Sequence, residues 1–83
     1  MSLTIGNQIK AARALAELSQ AELAAAASVN VNTVRAMEGR GTGVLVSGLD
    51  TILRVQRALE AAGVEFIPEN GGGAGVRLRK GPE

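Results

Sequence analysis

Residues 18–38 read LSQAELAAAASVNVNTVRAME, and they decide the fold expected for this chain of 83 residues. Ser19 stands three residues before Glu22, which is the spacing of a capping box. In that arrangement the serine oxygen accepts a backbone N–H, and the glutamate side chain reaches back to the N–H of the serine. The spacing therefore predicts a helix that begins at Gln20 and runs to about Ala26.

A turn and a second helix follow in the same stretch. The segment 28–30, Ser-Val-Asn, interrupts an alanine-rich run with residues whose side chains compete for backbone hydrogen bonds and so favour turns and caps. Asn30 is a good N-cap for a helix from residue 31 to about 37 or 38. Helical spacing gives this helix two faces. The inner face has Val34 and Met37, and the outer face has Asn32 and Arg35.

Helices are also predicted on both sides of this stretch. Between Ile5 and about Glu17, apolar residues recur at steps of three and four, which is typical of an amphipathic helix. Those apolar residues are Ile5, Ile9, Ala12 and Ala16. Ser47 stands three residues before Asp50, so a capped helix is predicted over 48–62, ending before Gly63. Its predicted core residues are Leu49, Ile52, Leu53, Leu59 and Ala62.

The pattern changes after Gly63. Residues 64–67 and 76–79 alternate apolar and polar side chains around a turn-rich segment, which predicts a terminal β-hairpin. Because an isolated two-stranded hairpin is marginal in water, we expect it to lie against the helices or to pair with a second copy. The expected division is a helical domain over 1–63, the hairpin over 64–80, and a frayed tail over 81–83.

Composition excludes several classes of function. The chain has no cysteine and no histidine, which removes disulfides, thiolate nucleophiles, the usual zinc ligands and the commonest general base. We therefore expect no enzyme activity, metal site or cofactor, and no small-molecule ligand is evident. Apolar runs are short and no signal sequence is recognisable, so we expect a cytoplasmic protein that does not enter membranes. With a net charge of only +1, polyanion binding depends on where the basic residues lie.

Residues 9–40 resemble the phage-repressor and Cro-like helix-turn-helix group, often called the XRE family. The resemblance is clearest in LSQAELA at 18–24 and VNVNTVRAME at 29–38. It implies a mainly α fold, a four-helix lambda-repressor-like helix-turn-helix domain, here followed by the C-terminal β-hairpin. It also implies a bacterial or phage transcription regulator that reads double-stranded DNA with the second helix of the motif. One departure is Ser28, where the family usually has glycine because this turn residue tends to adopt a positive φ.

The resemblance assigns roles to individual residues. Gln20 corresponds to a glutamine that contacts the DNA backbone and often a neighbouring base, and Gly39 and Arg40 correspond to phosphate-contacting positions. Arg13 and Glu38 correspond to a structural ion pair between the first and third helices. The positions that face the bases are Val31, Asn32, Thr33, Arg35 and Ala36. Asn32 can bond adenine, Arg35 can bond guanine or phosphate, and Val31 can touch a thymine methyl.

We expect a homodimer on two half-sites about one helical turn apart, held together by the fourth helix and the hairpin and located with the nucleoid. An alternative is a protein-interaction module on the same fold, such as an antitoxin or a transcription cofactor. Its contact surface would be the Val44–Val46 link, which could instead pack under the domain, and the hairpin edge. The roles of three cations also stay open between pairing with Glu65, DNA phosphate contact and a dimer interface. These are Arg77, Arg79 and Lys80.

Overall fold

Four helices and one antiparallel hairpin make up the computed structural model, which describes residues 3–68 and 71–79. The elements, in chain order, are α1 (Gly6–Ala16), α2 (Gln20–Ala27), α3 (Val31–Glu38), α4 (Leu49–Ala61), β1 (Val64–Ile67) and β2 (Gly75–Leu78). The expected small, mainly helical fold with a two-stranded sheet is confirmed. Within the described residues, no helix combines the length and apolar character needed to cross a bilayer. The expectations for Lys80 and for 81–83 lie outside the described residues.

Both caps predicted for α2 and α3 are formed. Ser19 Oγ accepts the Glu22 N–H at 3.0 Å, and a Glu22 carboxylate oxygen accepts the Ser19 N–H at 2.8 Å. The bond from the Ser19 backbone, and then the bond with its side chain, lower the pKa of Glu22 because both favour the charged carboxylate. Asn30 Oδ1 accepts the Asn32 N–H at 2.7 Å. α2 and α3 therefore begin at the predicted residues.

The turn between α2 and α3 depends on a serine in the left-handed conformation. Ser28 is the C-cap of α2, with φ 57° and ψ 44°. The N–H of Val29 then bonds the Ala24 oxygen at 3.0 Å and closes the helix end. Only residues 28–30 separate the two helices. The positive φ expected at Ser28 is therefore present in a residue that has a Cβ.

The core lies between the four helices and the inner face of the hairpin. Each helix contributes fully buried side chains, among them Ile9, Leu23, Val34, Met37, Val55 and Leu59. Val64 and Phe66 of β1 belong to the same cluster, with exposed fractions of 1% and 7%. The hairpin therefore lies against the helices, which is the first of the two arrangements expected for it.

The start and the inner face of α4 differ from the prediction. Gly48 is the N-cap and makes no side-chain bond, so the predicted Ser47 cap is wrong. Asp50 pairs with Arg54 at 3.2 Å instead of reaching back to Ser47. Leu49 is 61% exposed and Ala62 is exposed, so both were wrongly assigned to the core, whereas Val55 was missed. The buried face follows Ile52, Val55 and Leu59 at helical spacing.

Two residues at the start of α1 attach it to distant parts of the chain. A Cβ on Gly6 would collide with the Met37 carbonyl oxygen, so only glycine lets α1 approach the end of α3 this closely. Gln8 is 3% exposed, and its Nε2 donates to the Gly75 oxygen of β2 at 3.2 Å. Neither role was predicted from the sequence, because the atoms that Gly6 and Gln8 contact belong to segments far along the chain.

Candidate nucleic-acid interface

The exposed side of α3 brings the predicted base-reading residues together. Val34, Met37 and Glu38 are buried and attach the inner side of α3 to the core. The side chains on the other side of α3 have graded exposure. Asn32, Arg35 and Ala36 are exposed, whereas Val31 and Thr33 are half-buried. The outer side of α3 is thus an accessible polar surface held on an apolar base.

Asn32 and Arg35 contact each other on this surface. Arg35 Nη1 donates to Asn32 Oδ1 at 3.0 Å, and both side chains remain exposed. A guanidinium has five N–H donors, so one such bond leaves most of them available. The asparagine keeps its amide NH₂ group for a partner. The pair therefore presents amide and guanidinium donors side by side on the exposed side of α3.

A buried carboxylate below this surface joins three helices. Glu38 accepts Arg13 Nε at 2.6 Å and Arg13 Nη2 at 3.0 Å, and also Gln20 Nε2 at 3.2 Å. Only 3% of the Glu38 side chain and 19% of the Arg13 side chain are exposed. The hydrogen bond to Glu38 raises the pKa of Arg13, an effect that desolvation opposes. The network fixes α3 relative to both α1 and α2.

Gln20 lies where this network meets the surface. It is the first residue of α2 and is half-buried, and its amide nitrogen is held by Glu38. The orientation of the amide is therefore set by the protein. Gln20 was expected to contact DNA, but its bond to Glu38, a residue 18 positions away, was not predicted.

The two predicted phosphate-contacting residues after α3 are already engaged within the chain. The Gly39 N–H bonds the Arg35 carbonyl oxygen at 2.9 Å, so a phosphate contact at this N–H would have to replace that bond. Arg40 is exposed, and its Nε donates to the Val44 oxygen at 3.1 Å. The rest of the Arg40 guanidinium remains accessible beside the loop that follows α3.

The charges around α3 are uneven. Between residues 23 and 49 the sequence has two cations, Arg35 and Arg40, and one anion, Glu38, which is buried and paired. Several cations elsewhere are tied to the chain: Arg77 Nε bonds Glu65 at 2.6 Å, and Arg79 bonds the Glu60 carbonyl oxygen at 3.1 Å. The exposed side of α3 and its following loop is therefore cationic, although the whole chain is nearly neutral.

Neither a metal site nor a known relative bears on the function of this surface. Over residues 3–68 and 71–79 there is no cluster of three metal-ligating side chains. A scan against known protein-family models finds no match to the chain. A search of curated protein sequences likewise finds no relative.

Proposed function

We propose that the chain is a sequence-specific, double-stranded DNA-binding transcription regulator that inserts α3 into the major groove. The observation that carries the proposal is the exposed Asn32–Arg35 pair on a helix whose opposite side is buried. Amide and guanidinium side chains are those that read adenine and guanine in the major groove. α2, the turn at 28–30 and α3 would then act as a helix-turn-helix of the XRE type.

The Glu38 network supports this proposal because it makes the reading surface rigid. Base contacts discriminate only if the helix that presents them has a fixed orientation. Glu38 bonds side chains from both preceding helices, so α3 cannot rotate without breaking charged hydrogen bonds. The structure needed for binding would exist before DNA arrives.

Contacts to the sugar-phosphate backbone would set the register of α3. Gln20 stands at the N-terminus of α2, where backbone N–H groups and the helix dipole favour an anion, and Arg40 supplies a cation beyond α3. These contacts position the protein, whereas Asn32 and Arg35 distinguish bases. We propose that the protein acts as a homodimer in the cytoplasm, among the nucleoid proteins.

Selection of bound fragments from genomic DNA, followed by affinity measurement on the selected site, tests this function. Replacing Arg35 by Ala should weaken specific binding by about 1–3 kcal/mol if Arg35 makes a bidentate base contact. Arg57→Ala is the matched control, because Arg57 is an exposed arginine on α4. It should weaken binding much less. Equal affinities of Arg35→Ala and the unmodified protein for the selected DNA would refute the proposed role.

A second candidate is a protein-interaction module. It is favoured by three exposed apolar side chains, two in the segment that joins α3 to α4 and one at the start of α4. Val44, Val46 and Leu49 are 67%, 76% and 61% exposed, although Leu45 between them is buried. Exposed apolar residues that lie close together are typical of protein contacts. Failure of the purified protein to select any DNA, with binding to a protein that Val46→Ser abolishes, would favour this candidate.

A further inference from the structure

The outer edge of β2 has backbone groups without partners in the described chain. The Arg79 N–H donates to the Gly63 oxygen at 2.8 Å, in line with the strand register in which Glu65 lies opposite Arg77. In an antiparallel ladder, alternate residues exchange bonds with the neighbouring strand. The backbone N–H and C=O groups of Arg77 and Arg79 point toward β1. Those of Val76 and Leu78 therefore point to the opposite edge of β2. No hydrogen bond from these groups to another described residue is present.

The apolar face of the hairpin also continues beyond what the helices cover. Val64 lies opposite Leu78 and Phe66 opposite Val76, so all four side chains share the face that meets the core. Val64 and Phe66 are buried, but Leu78 is 51% exposed. The large apolar side chain of Leu78 is thus exposed at the outer edge of β2, where the backbone groups also lack partners among the described residues.

We propose that β2 pairs with β2 of a second copy, antiparallel about a twofold axis at Val76, to form a four-stranded sheet. In this register two copies of the segment 73–79, Gly-Ala-Gly-Val-Arg-Leu-Arg, have side chains of complementary size. Val76 meets its own copy, and each larger side chain meets a small one. Arg77 lies opposite Gly75, Leu78 opposite Ala74, and Arg79 opposite Gly73. This small-to-large match makes a second copy the best partner for the edge, whether or not the protein binds DNA.

Neighbouring registers fit less well. A shift toward the C-terminus puts Arg77 opposite Arg77 or Arg79 of the second copy, and like charges directly opposite are destabilising. A shift the other way brings Leu78 against the bend at Gly71 and Gly72. The rival surface on α4 is mostly polar, since its exposed side has Asp50, Arg54 and Arg57, and its one large exposed apolar residue, Leu49, lies at its first position. Charge and shape therefore select the β2 edge and one register.

The edge of β1 is less suited to such pairing. Pro68 follows β1 directly, and proline at a strand edge hinders the addition of another strand. The buried side chains of β1 also hold this strand close to the helices. β2 has no proline, and Glu65 balances the charge of Arg77 within the same chain.

Single cysteines in the full chain test the register, because the sequence contains none. Val76→Cys should form an intermolecular disulfide under mild oxidation, since residues facing each other across the axis have Cα atoms about 5.5 Å apart. Leu78→Cys is the control: its two copies would be separated by about 13 Å along the strands, too far to bridge. Random collisions would instead favour position 78, which is more exposed. Cross-linking of Leu78→Cys as fast as Val76→Cys would overturn the proposal.

A positive and a negative substitution at Gly75 test the same register, because they should change the dimer dissociation constant in opposite directions. A side chain there makes only ordinary contacts with Ile67, 3.8 Å away, so the protomer should tolerate it. In the dimer it faces Arg77 of the second copy. Gly75→Lys should weaken association and Gly75→Glu strengthen it, each by about two- to tenfold, measured by sedimentation equilibrium. A protein that stays monomeric at its highest soluble concentration, or equal constants for the two variants, would refute the interface.

Discussion

The left-handed conformation of Ser28 costs free energy that glycine would not. A residue with a Cβ loses about 1–2 kcal/mol in this region, partly offset because glycine has more freedom in the unfolded chain. Ser28 has φ 57°. We therefore expect Ser28→Gly to raise the free energy of unfolding by up to about 1 kcal/mol in urea denaturation. Ser47→Gly is the control, because Ser47 lacks a positive φ and caps no helix, and it should give no gain.

Residue-scale requirements were predictable only where they are local. The positive φ of Ser28 was expected from the resemblance of residues 9–40 to a family that usually has glycine at this turn position. Gly6 could not be identified in this way, because what excludes a side chain there is the carbonyl oxygen of Met37. Gln8 is similar, since its bond to Gly75 joins residues 67 positions apart. The requirements for glycine at position 6 and glutamine at position 8 become visible only when the helices and the hairpin have packed together.

At the scale of elements, the Arg13–Glu38 pair should couple α1 to α3 strongly. Glu38→Leu leaves the partly buried Arg13 guanidinium and the Gln20 amide without their carboxylate partner. Arg13→Met leaves the Glu38 carboxylate, which is 3% exposed, without its cation. Each single variant should lose about 2–4 kcal/mol of stability. The double variant should lose less than the sum of the two single losses, because it leaves no unpaired buried charge. Urea denaturation of the four proteins gives this double-mutant cycle.

The exposed Asp50–Arg54 pair is the matched control for that cycle. Its side chains are 80% and 53% exposed, so solvent screens the interaction. Asp50→Ala should therefore change stability by less than about 1 kcal/mol. Additive losses in the Arg13–Glu38 cycle, or losses no larger than that of Asp50→Ala, would show that the buried network does not hold α3 in place.

Helix starts were predictable to the extent that their caps are local. The Ser19–Glu22 box and the Asn30 cap depend on residues within one turn, and both helices begin where their spacing indicated. Ser47 and Asp50 have the same spacing, but Gly48 and not Ser47 is the N-cap of α4, and Asp50 pairs with Arg54. For the candidate interface, the sequence predicted that Asn32 and Arg35 face outward on α3, but Val31, also placed on that face, packs partly against the core. The sequence did not reveal the buried bond that orients Gln20.

At the scale of the whole molecule, the hydrophobic core continues past Gly63 into the hairpin. A boundary was predicted at Gly63 because the spacing of apolar residues changes there from helical to alternating. Val64 and Phe66 nevertheless pack in the same cluster as side chains from all four helices. Loss of the hairpin would expose that cluster to water, so helices and hairpin should unfold together.

Phe66→Ala tests this cooperativity. Phe66 is the only aromatic residue and is 7% exposed, so truncation should cost about 3–5 kcal/mol. A chain of this length has roughly 4–12 kcal/mol of stability in total, so the variant should lose from about a quarter to all of it. Ile67→Ala, on the outer face of β1 and half-buried, should cost much less. Thermal unfolding followed by circular dichroism and by amide exchange checks both. If α3 amides in Phe66→Ala stayed as protected as in the unmodified chain, the hairpin would be an appendage and not part of one core.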